Sequence, residues 1–301
     1  MSALPDLVAA AAQAAGAQQY PTGALYVVAT PIGNLADLSL RAIHVLALVD
    51  AVACEDTRVS AQLLRHLGLH KPLLALHQHN EREAAQGLID RLQRGERIAL
   101  ISDAGTPAVS DPGARLVAEL QTAGLRCVPI PGASSTLALL SVAGDAQAQG
   151  FRFAGFLPPK GEARAQALAG LADARDTVVL FEAPHRIADL AAELAQRWPQ
   201  RRITLGRELT KQFETLRTLS CAELPTYLDS DAHAQRGEFA LALHAEGQPA
   251  SEGLPAAAEQ TLVLLLEELP LKQAVALAAR LSGVARNSLY ARALELKNAD
   301  Q

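Results

Sequence analysis

Four short stretches of this sequence combine glycine, proline, acidic and hydroxyl side chains, and each directly follows an aliphatic run. They lie at residues 30–35 (TPIGNL), 55–58 (EDTR), 103–113 (DAGTPAVSDPG) and 131–135 (PGASS). Glycine lets a backbone approach a ligand closely, and proline fixes a loop so that binding costs little ordering entropy. A single loop of this kind is usually only a turn, but four at one edge of a sheet predict a ligand-binding site.

The residue types in these loops narrow the range of possible ligands but do not identify one. Neither the phosphate-binding pattern G-x-x-x-x-G-K-[ST] nor the dinucleotide pattern G-x-G-x-x-G is present. Asp103 beside Gly105 suits a ligand with a cationic or amide group, such as the amine of S-adenosylmethionine. Ser134 or Ser135 can cap the following helix, whose free N–H groups could receive a carboxylate.

The elements that position these loops follow from the alternation of aliphatic runs with amphipathic stretches. Strands are predicted at 25–29, 51–54, 98–102, 126–130, 177–181, 203–206 and 239–244. Helices are predicted at 40–48, 60–67, 83–94, 114–123, 134–142 and 186–198. Such alternation predicts an α/β protein with parallel or mixed sheets covered by helices.

Glycine and proline clusters divide the chain of 301 residues. They predict a boundary within 144–162 and a second one at 246–255. We therefore expect an N-terminal α/β domain over 22–145, a C-terminal α/β domain over 150–247 and a helical module over 256–301. The Ala/Gln-rich start has no basic segment before it and is interpreted as a flexible tail, residues 1–21, rather than a signal peptide.

Composition excludes several classes of protein. With 50% hydrophobic and 20% charged residues the chain is not disordered. No apolar run reaches the ~18 residues of a membrane span, so no membrane association is expected. Cys54, Cys127 and Cys221 lie far apart, which argues against a zinc site and a disulfide framework and favours the reducing cytoplasm. A net charge of −5 means that any nucleic-acid contact must be local.

Eight motifs, in order from about residue 22 to 297, resemble one family. They are LYVVATPIGNL (25–35), CEDTR (54–58), LHQHNE (76–81), SDAGTPAVSDPG (102–113), PIPGASS (129–135), GFLPPK (155–160), FEAPHR (181–186) and RELTK (207–211). The chain resembles the small-subunit ribosomal RNA 2′-O-ribose methyltransferases of the tetrapyrrole methylase superfamily. The resemblance implies two α/β domains with a folded S-adenosylmethionine between them. It also implies a homodimer and a target cytidine in the decoding region of the small ribosomal subunit.

The same resemblance assigns the cofactor to three loops and to main chain in the second domain. The residues it implies are Thr30, Pro31, Gly33, Asn34, Asp103, Ala104, Gly105, Thr106, Pro107, Gly132, Ala133, Ser134, Ser135, Phe181, Glu182, Ala183 and Leu241.

A ribose hydroxyl is a poor nucleophile at neutral pH, so a base or a nearby cation would help it react. Candidates are Glu55, His79, Glu182, Arg207, Glu208 and Lys211, and no metal is required. Each has a plainer alternative. The acids at 55–56 could pair with Arg58, His79 could be a hydrogen-bonding scaffold, and Lys211 could pair with Glu208 or Glu214.

RNA contacts are expected from Lys160, His185 and Arg186, although Arg186 could instead pair with Glu182. Two local patches each carry a net charge of +4, at 197–217 and at 271–297. The second contains Arg286 and Arg292 in a helix, Ser282-Gly283 turn, helix arrangement that resembles a helix-turn-helix, for which the alternative is a solvated helix face.

Two other functions stay open at this point. One is C-methylation of a porphyrin-like small molecule, against which the basic terminal helices and the FEAPHR motif argue. The other is a non-catalytic ribosome-assembly protein, against which the complete set of loops argues. For the favoured reading, the partner is small-subunit RNA in an assembled or nearly assembled subunit.

Overall fold

A computed structural model describes residues 5–76, 81–109, 113–231, 233–246 and 256–299 of the chain. It separates into two compact units, 1–246 and 247–301. The first unit contains two five-stranded sheets. The second is helical.

The first sheet is wholly parallel, with strand order β3-β2-β4-β1-β5. Its central strands are aliphatic and buried on both faces, as expected for a parallel sheet covered by helices. Two apolar cores, one on each face, contain Tyr26 and Leu100 respectively. The strands are β1 (Ala24–Val28), β2 (Ala51–Cys54), β3 (Leu73–Ala75), β4 (Arg97–Ile101) and β5 (Arg126–Ile130), and the helices are α2 (Leu40–Leu48), α3 (Thr57–His66), α4 (Glu81–Gln93), α5 (Ala114–Thr122) and α6 (Ser135–Ala143).

The N-terminal segment corrects one expectation, because it is part of this core rather than a flexible tail. Residues Pro5–Ala15 form α1, which packs on α2 and buries Ala11 completely. The Tyr20 hydroxyl donates to the Ala15 carbonyl at 3.0 Å, and Arg97 Nε donates to the Tyr20 carbonyl at 3.1 Å. The small alanine side chains allow close helix-helix packing, so a composition that predicts a flexible tail is here that of a packed helix.

The second sheet is mixed, with strand order β6-β7-β10-β8-β9. Strands β6, β7 and β8 run parallel, and β9 and β10 run against them. The strands are β6 (Phe151–Phe156), β7 (Thr177–Glu182), β8 (Arg202–Arg207), β9 (Thr215–Ser220) and β10 (Phe239–Leu243), with helices α7 (Gly161–Ala169), α8 (Ile187–Arg197) and α9 (Leu224–Asp229). The carboxyl ends of β7 and β8 lie beside the start of β10, so the loops after β7 and β8 share one edge.

The link between the two sheets is fixed by one carboxylate. Gly144 ends α6 in the left-handed conformation, and Asp145 follows it. Asp145 Oδ2 accepts hydrogen bonds from Thr177 Oγ1 at 2.8 Å and from the Ala245 amide at 2.6 Å. The connection is therefore fastened to the amino end of β7 and to the residues after β10.

The second unit consists of α10 (Ala256–Glu268), α11 (Leu271–Ser282) and α12 (Arg286–Ala299). Leu262, Val275 and Leu289 meet in its core. Gly283 ends α11 with φ +70°, and its amide donates to the Ala279 carbonyl at 3.0 Å. Across the described residues, no helix is both long enough and apolar enough to cross a membrane.

Candidate active site

Two of the predicted loops are joined at the carboxyl edge of the first sheet. The Thr30 amide donates to the Gly105 carbonyl at 2.8 Å, and the Gly105 amide donates back to the Thr30 carbonyl at 3.1 Å. The Thr30 hydroxyl also donates to the Ser102 carbonyl at 3.1 Å. Gly105 has φ +84°, a conformation that side chains rarely adopt, and an added Cβ would lie 3.3 Å from Ile32 Cγ2. The two loops therefore form one rigid rim.

A cavity of about 390 Å³ lies between this rim and the second sheet. Its volume is within the ~300–1,000 Å³ typical of small-molecule sites. The first domain provides the loop after β4 and the start of α6, and the second domain provides the ends of β6 and β7 and the start of β10. The lining residues are Ile32, Ala104, Gly105, Thr106, Val109, Ser134, Ser135, Thr136, Phe156, Phe181, Glu182, Ala183, Pro184, Leu209, Glu238, Phe239 and Ala240. We refer to this space as the cleft cavity.

The start of α6 contributes polar groups to the cleft cavity through Ser134, Ser135 and Thr136. Ser134 is the N-cap residue, and its side chain makes no capping hydrogen bond. The first amides of a helix have no partner within the helix, so they can bind an anionic group. Thr106 Oγ1 donates to the Ala133 carbonyl at 3.1 Å and ties this loop to the rim. One wall of the cavity can thus receive a carboxylate, while aromatic and aliphatic side chains form much of the rest.

A buried charge cluster lies behind the opposite wall. The Glu182 side chain is fully buried, and its Oε1 is 3.0 Å from Arg186 Nε and accepts the Ala183 amide at 2.8 Å. Its Oε2 is 3.6 Å from Arg164 Nη1. Arg186 Nη2 also donates to the Leu157 carbonyl at 2.8 Å. Two cations therefore hold Glu182, and they fasten the end of β6 to the loop after β7.

The turn after β8 carries a second charge cluster at the mouth of the cleft cavity. Lys211 Nζ is 2.8 Å from Glu208 Oε1 and 2.9 Å from Glu238 Oε2. Glu208 Oε1 also accepts the Glu238 amide at 2.9 Å. Glu208 and Thr210 both have positive φ, which costs about 1 kcal/mol or more per residue. The hydrogen bonds of the turn hold it in this conformation.

These contacts set the protonation of the cluster. Burial raises the pKa of Glu208, but the hydrogen bonds from Lys211 and from the Glu238 amide outweigh it, so the pKa lies below its ordinary value. Burial lowers the pKa of Lys211, but its bonds to Glu208 and Glu238 outweigh that effect and raise the pKa. Lys211 is therefore an ammonium ion near neutral pH, which can supply positive charge but cannot accept a proton.

The structure brings only part of the predicted cofactor set to the cleft cavity. Ala104, Gly105, Thr106, Ser134, Ser135, Phe181, Glu182 and Ala183 line it. Thr30, Pro31 and Asp103 line a separate cavity on the other side of the rim. Gly132 packs on Ala29, and Gly33 packs on the turn at residues 209–211. Leu241 is wholly buried in the core of the second domain. Asn34 caps a short 3₁₀ turn by accepting the Ala36 amide at 3.0 Å. Pro107 and Ala133 do not line the cavity, although the Ala133 carbonyl accepts the hydrogen bond from Thr106.

The predicted catalytic residues do not all converge. Lys211 and Glu208 lie at the mouth, and the sequence alternative of a Lys211–Glu208 pair is present, with Glu238 as a further partner. Arg207 Nη1 donates to the His233 and Arg236 carbonyls at 3.2 Å and so holds the loop before β10. Glu55 follows β2 and is half-buried, whereas Asp56 forms an ion pair with Arg58. His79 lies outside the described residues.

The predicted RNA contacts differ in how much of their charge is already engaged. Lys160 and His185 are exposed in the loops after β6 and β7. Arg186 forms the internal pair with Glu182, the alternative that the sequence left open. In the helical unit, Arg286 is exposed at the start of α12, while Arg292 pairs with Glu259 on α10 and with Glu295. In the 197–217 patch, Arg201 is 5% exposed and donates to the His244 and Leu171 carbonyls, whereas Arg197, Arg202 and Arg217 are exposed.

Sequence reasoning identified Phe181, Glu182 and Ala183 of the second domain but missed several other lining residues of the cleft cavity. Ile32, Val109, Phe156, Leu209 and Phe239 line it, together with the exposed carboxylate of Glu238. The signal for Ile32 and Val109 was available, because both fall inside the predicted loops. The others come from distant strands, and only the tertiary fold places them here. Among the described residues there is no cluster of three or more His, Cys, Asp or Glu side chains suited to a metal ion.

The fold and the cavity between two α/β domains define the class of protein. The family model of tetrapyrrole (corrin/porphyrin) methylases matches residues 24–225, so the chain belongs to that family. A solved uroporphyrin-III C-methyltransferase from Thermus thermophilus, complexed with S-adenosylhomocysteine, has a TM-score of 0.51 at 18% identity, covering 72% of this chain and 96% of that chain. At this identity the likeness concerns the fold alone.

Closer relatives define the branch of the family. Residues 252–297 match the model described as the RsmI C-terminal HTH domain. A ribosomal RNA small subunit methyltransferase I from Pseudomonas aeruginosa is 48% identical, over 91% of this chain and 97% of the relative. Its namesake from Neisseria meningitidis serogroup B is 45% identical, over 92% and 94%. Within the tetrapyrrole methylases, the chain belongs to the ribosomal RNA small subunit methyltransferase I family.

Proposed function

We propose that this protein methylates the ribose 2′-oxygen of a cytidine in the decoding region of small-subunit ribosomal RNA, with S-adenosylmethionine as methyl donor. The observation that carries the proposal is the cleft cavity itself, formed by two domains and lined by backbone amides, aromatic rings and the Gly105 rim. The relatives named as small-subunit RNA methyltransferases give the substrate class. The RNA is expected in an assembled or nearly assembled subunit.

The residues present fit the cofactor. A Cβ at position 105 would narrow the space beside Ile32, so glycine is suited to a close approach of ligand to backbone. The amides at the start of α6 would hold the methionine carboxylate, and Phe156, Phe181 and Leu209 would cover the apolar parts of the molecule. When bound, S-adenosylmethionine supplies an electrophilic methyl group on its sulfonium, so the protein need not activate that group.

The chain's own contribution is alignment and charge. Apolar residues from both domains exclude water from the cleft cavity, and the rim loops restrict how a nucleoside can enter. Lys211 pairs with Glu238, which lines the cleft cavity, and its ammonium would favour the negative charge that develops on an attacking ribose oxygen. Glu208 and Glu238 orient that ammonium. Glu182, although predicted as catalytic, would act through Arg186 and Arg164 as a support of the cavity wall.

We also infer that the protein acts as a homodimer in the cytoplasm. The side chains of Leu137 and Phe151 are 57% and 53% exposed. Together with Leu140 they line a surface cavity that is separate from the cleft cavity. Exposed apolar groups of this kind favour an interface with a second copy. Sedimentation analysis should give twice the chain mass for the wild type, and Leu137→Glu with Phe151→Glu should shift it to the monomer. A wild-type monomer at micromolar concentration would contradict this.

The proposed reaction is tested with labelled methyl donor and three acceptors: small subunits from cells lacking this gene, naked small-subunit RNA, and a free tetrapyrrole. Label is expected in the subunits, and nucleoside mass spectrometry should identify it as 2′-O-methylcytidine. Label in the tetrapyrrole would favour the small-molecule methylase. Absence of transfer to any acceptor, with intact cofactor binding, would favour a non-catalytic assembly protein.

A further inference from the structure

The side of the rim that faces away from the cleft cavity bounds a second cavity of about 430 Å³, which we call the α3 cavity. Pro31 and Asp103 of the two rim loops form one wall, and Val59, Leu63 and Arg65 of α3 form the other. Ile32 and Ala104, the next residues in the same loops, line the cleft cavity instead. The rim joined by Thr30 and Gly105 thus separates two adjacent cavities.

The α3 side of this cavity is basic, while the opposite wall contains the acidic residue Asp103. Between Asp56 and Glu81 the sequence contains no acidic residue, and the described residues of this stretch include Arg58, Arg65, His66, His70 and Lys71. Arg65 and His66 both line the α3 cavity. Arg65 also borders a shallower groove of about 740 Å³, which Arg58 and His70 line as well. Two neighbouring concave surfaces therefore share one exposed arginine.

The charge of Arg65 is largely available to a ligand. Its Nε donates to the Ala61 carbonyl at 3.3 Å within α3, and its two terminal nitrogens make no hydrogen bond or ion pair with the described residues. The Arg58 side chain is 89% exposed, although it pairs with Asp56. Lys71, in contrast, is committed to the Ala47 and Val49 carbonyls at 2.7 Å.

Resting on the proposed function, we infer that the α3 cavity binds an unpaired nucleotide of the RNA substrate next to the one that is methylated. The base would lie among Val59, Leu63 and Pro31, and its phosphate would contact Arg65, with Arg58 as the next cation along the strand. Proteins commonly recognise single-stranded RNA by holding splayed bases against apolar surfaces and phosphates with arginine. The intact rim prevents a group in the α3 cavity from reaching the cleft cavity directly. The α3 cavity therefore anchors RNA, and the reaction takes place on the other side.

The test measures methylation of small subunits from cells lacking this gene, as kcat/KM over a series of salt concentrations. Arg65→Gln is expected to lower kcat/KM about five- to tenfold near 0.15 M salt and to make the log–log salt slope shallower by about 1, because one phosphate contact is lost. The double variant with Arg58→Gln should have a still lower kcat/KM and a still shallower salt slope. Val59→Trp, which fills the cavity without changing charge, should lower kcat/KM and leave the slope unchanged.

Two controls separate this inference from the proposed function. Arg126→Gln makes the same charge change at the exposed amino end of β5, at the opposite edge of the sheet, and should leave both kcat/KM and slope as in the wild type. The affinity for S-adenosylmethionine, measured by calorimetry, should be the same in all variants. The anchoring site alone is overturned if the wild type is active and Arg65→Gln changes neither kcat/KM nor the salt slope. It is also overturned if Val59→Trp leaves kcat/KM unchanged. A wild type inactive on subunits overturns the proposed function instead.

Discussion

Gly33 in the first domain packs directly on the side chain of Lys211 in the second. A Cβ built on Gly33 would overlap Lys211 Cγ and would lie 3.1 Å from the Leu209 carbonyl oxygen. The φ angle of Gly33 is not positive, so glycine is required by this close approach and not by backbone conformation. The contact places the turn that carries Lys211 against the loop that follows β1, and it links the rim to the charge cluster at the cavity mouth.

Gly33→Ala should therefore disturb the junction of the two domains. Because the added methyl meets backbone as well as a flexible side chain, we expect a loss of about 1–3 kcal/mol in the free energy of unfolding and at least tenfold weaker cofactor binding. Urea unfolding and calorimetry measure the two effects. Gly87→Ala is the matched control, since an added Cβ there meets nothing within 4 Å and Gly87 lies inside α4. Gly87→Ala should raise the free energy of unfolding by up to about 1 kcal/mol. Equal effects of the two substitutions would contradict the steric account.

Lys211→Met tests the electrostatic role of the ammonium while keeping an alkyl chain against Gly33. We expect kcat to fall about 100-fold, with the cofactor affinity changed less than twofold, because the charge acts on the developing oxyanion and not on the bound donor. Lys211→Arg retains the charge and should recover part of kcat. Unchanged turnover in Lys211→Met would remove this residue from the reaction.

The pair formed by Glu208 and Lys211 should stabilise the fold over a defined pH range. The pKa of Glu208 is lowered from 4.5, so its contribution is present above about pH 4.5 and is lost as pH falls through its folded-state pKa. The pKa of Lys211 is raised from 10.5, so its contribution is complete below that pH and is lost above it. Urea unfolding of wild type and Glu208→Gln should differ by about 1–2 kcal/mol from pH 5 to 10. The difference should shrink at both ends, and a constant difference at acid pH would argue against the pair.

Asp145 should matter for stability and not for the cofactor. It lies away from the cleft cavity and holds Thr177 and Ala245 through one oxygen. Asp145→Ala leaves a buried hydroxyl and an amide without their acceptor, so we expect about 2–3 kcal/mol lower free energy of unfolding. Asp145→Asn keeps an acceptor and should lose less. Calorimetry should find the cofactor affinity of both variants within twofold of wild type; a large drop without loss of stability would place Asp145 in the site.

The parts of the fold predicted from sequence are those with strong local patterns. Strands β1 and β4 are aliphatic runs followed by loops that contain glycine and proline, β2 is an aliphatic run followed by the polar EDTR segment, and α2 has the predicted bounds Leu40–Leu48. Strand β6 was missed because Arg152 and Gly155 interrupt it, with a bulge between Phe153 and Gly155. Strand β9 was missed because its residues, TLRTLS, are mostly polar. The three-residue strand β3 gives too little pattern to detect.

The site could be predicted only as far as its loops. Gly105 and Ser134 were identified because glycine and a helix cap after a strand indicate a ligand edge. Phe156 and Phe239 carry no such signal, since only the packing of the two domains brings them to the cavity. The partners of charged groups also depend on tertiary structure, as Lys211 and Glu238 are far apart in sequence and meet through the pairing of β8 with β10.

The most direct test of the central claim is calorimetric titration of S-adenosylmethionine into the wild type and into Ala183→Phe. Ala183 is half-buried and lines the cleft cavity, so phenylalanine there occupies the space assigned to the cofactor. Ala118→Phe, on the exposed face of α5, is the matched control. We expect one cofactor per chain for the wild type and for Ala118→Phe, and at least tenfold weaker binding for Ala183→Phe. Folded wild type that releases no heat of binding, or Ala183→Phe that binds as tightly as the wild type, would contradict the account.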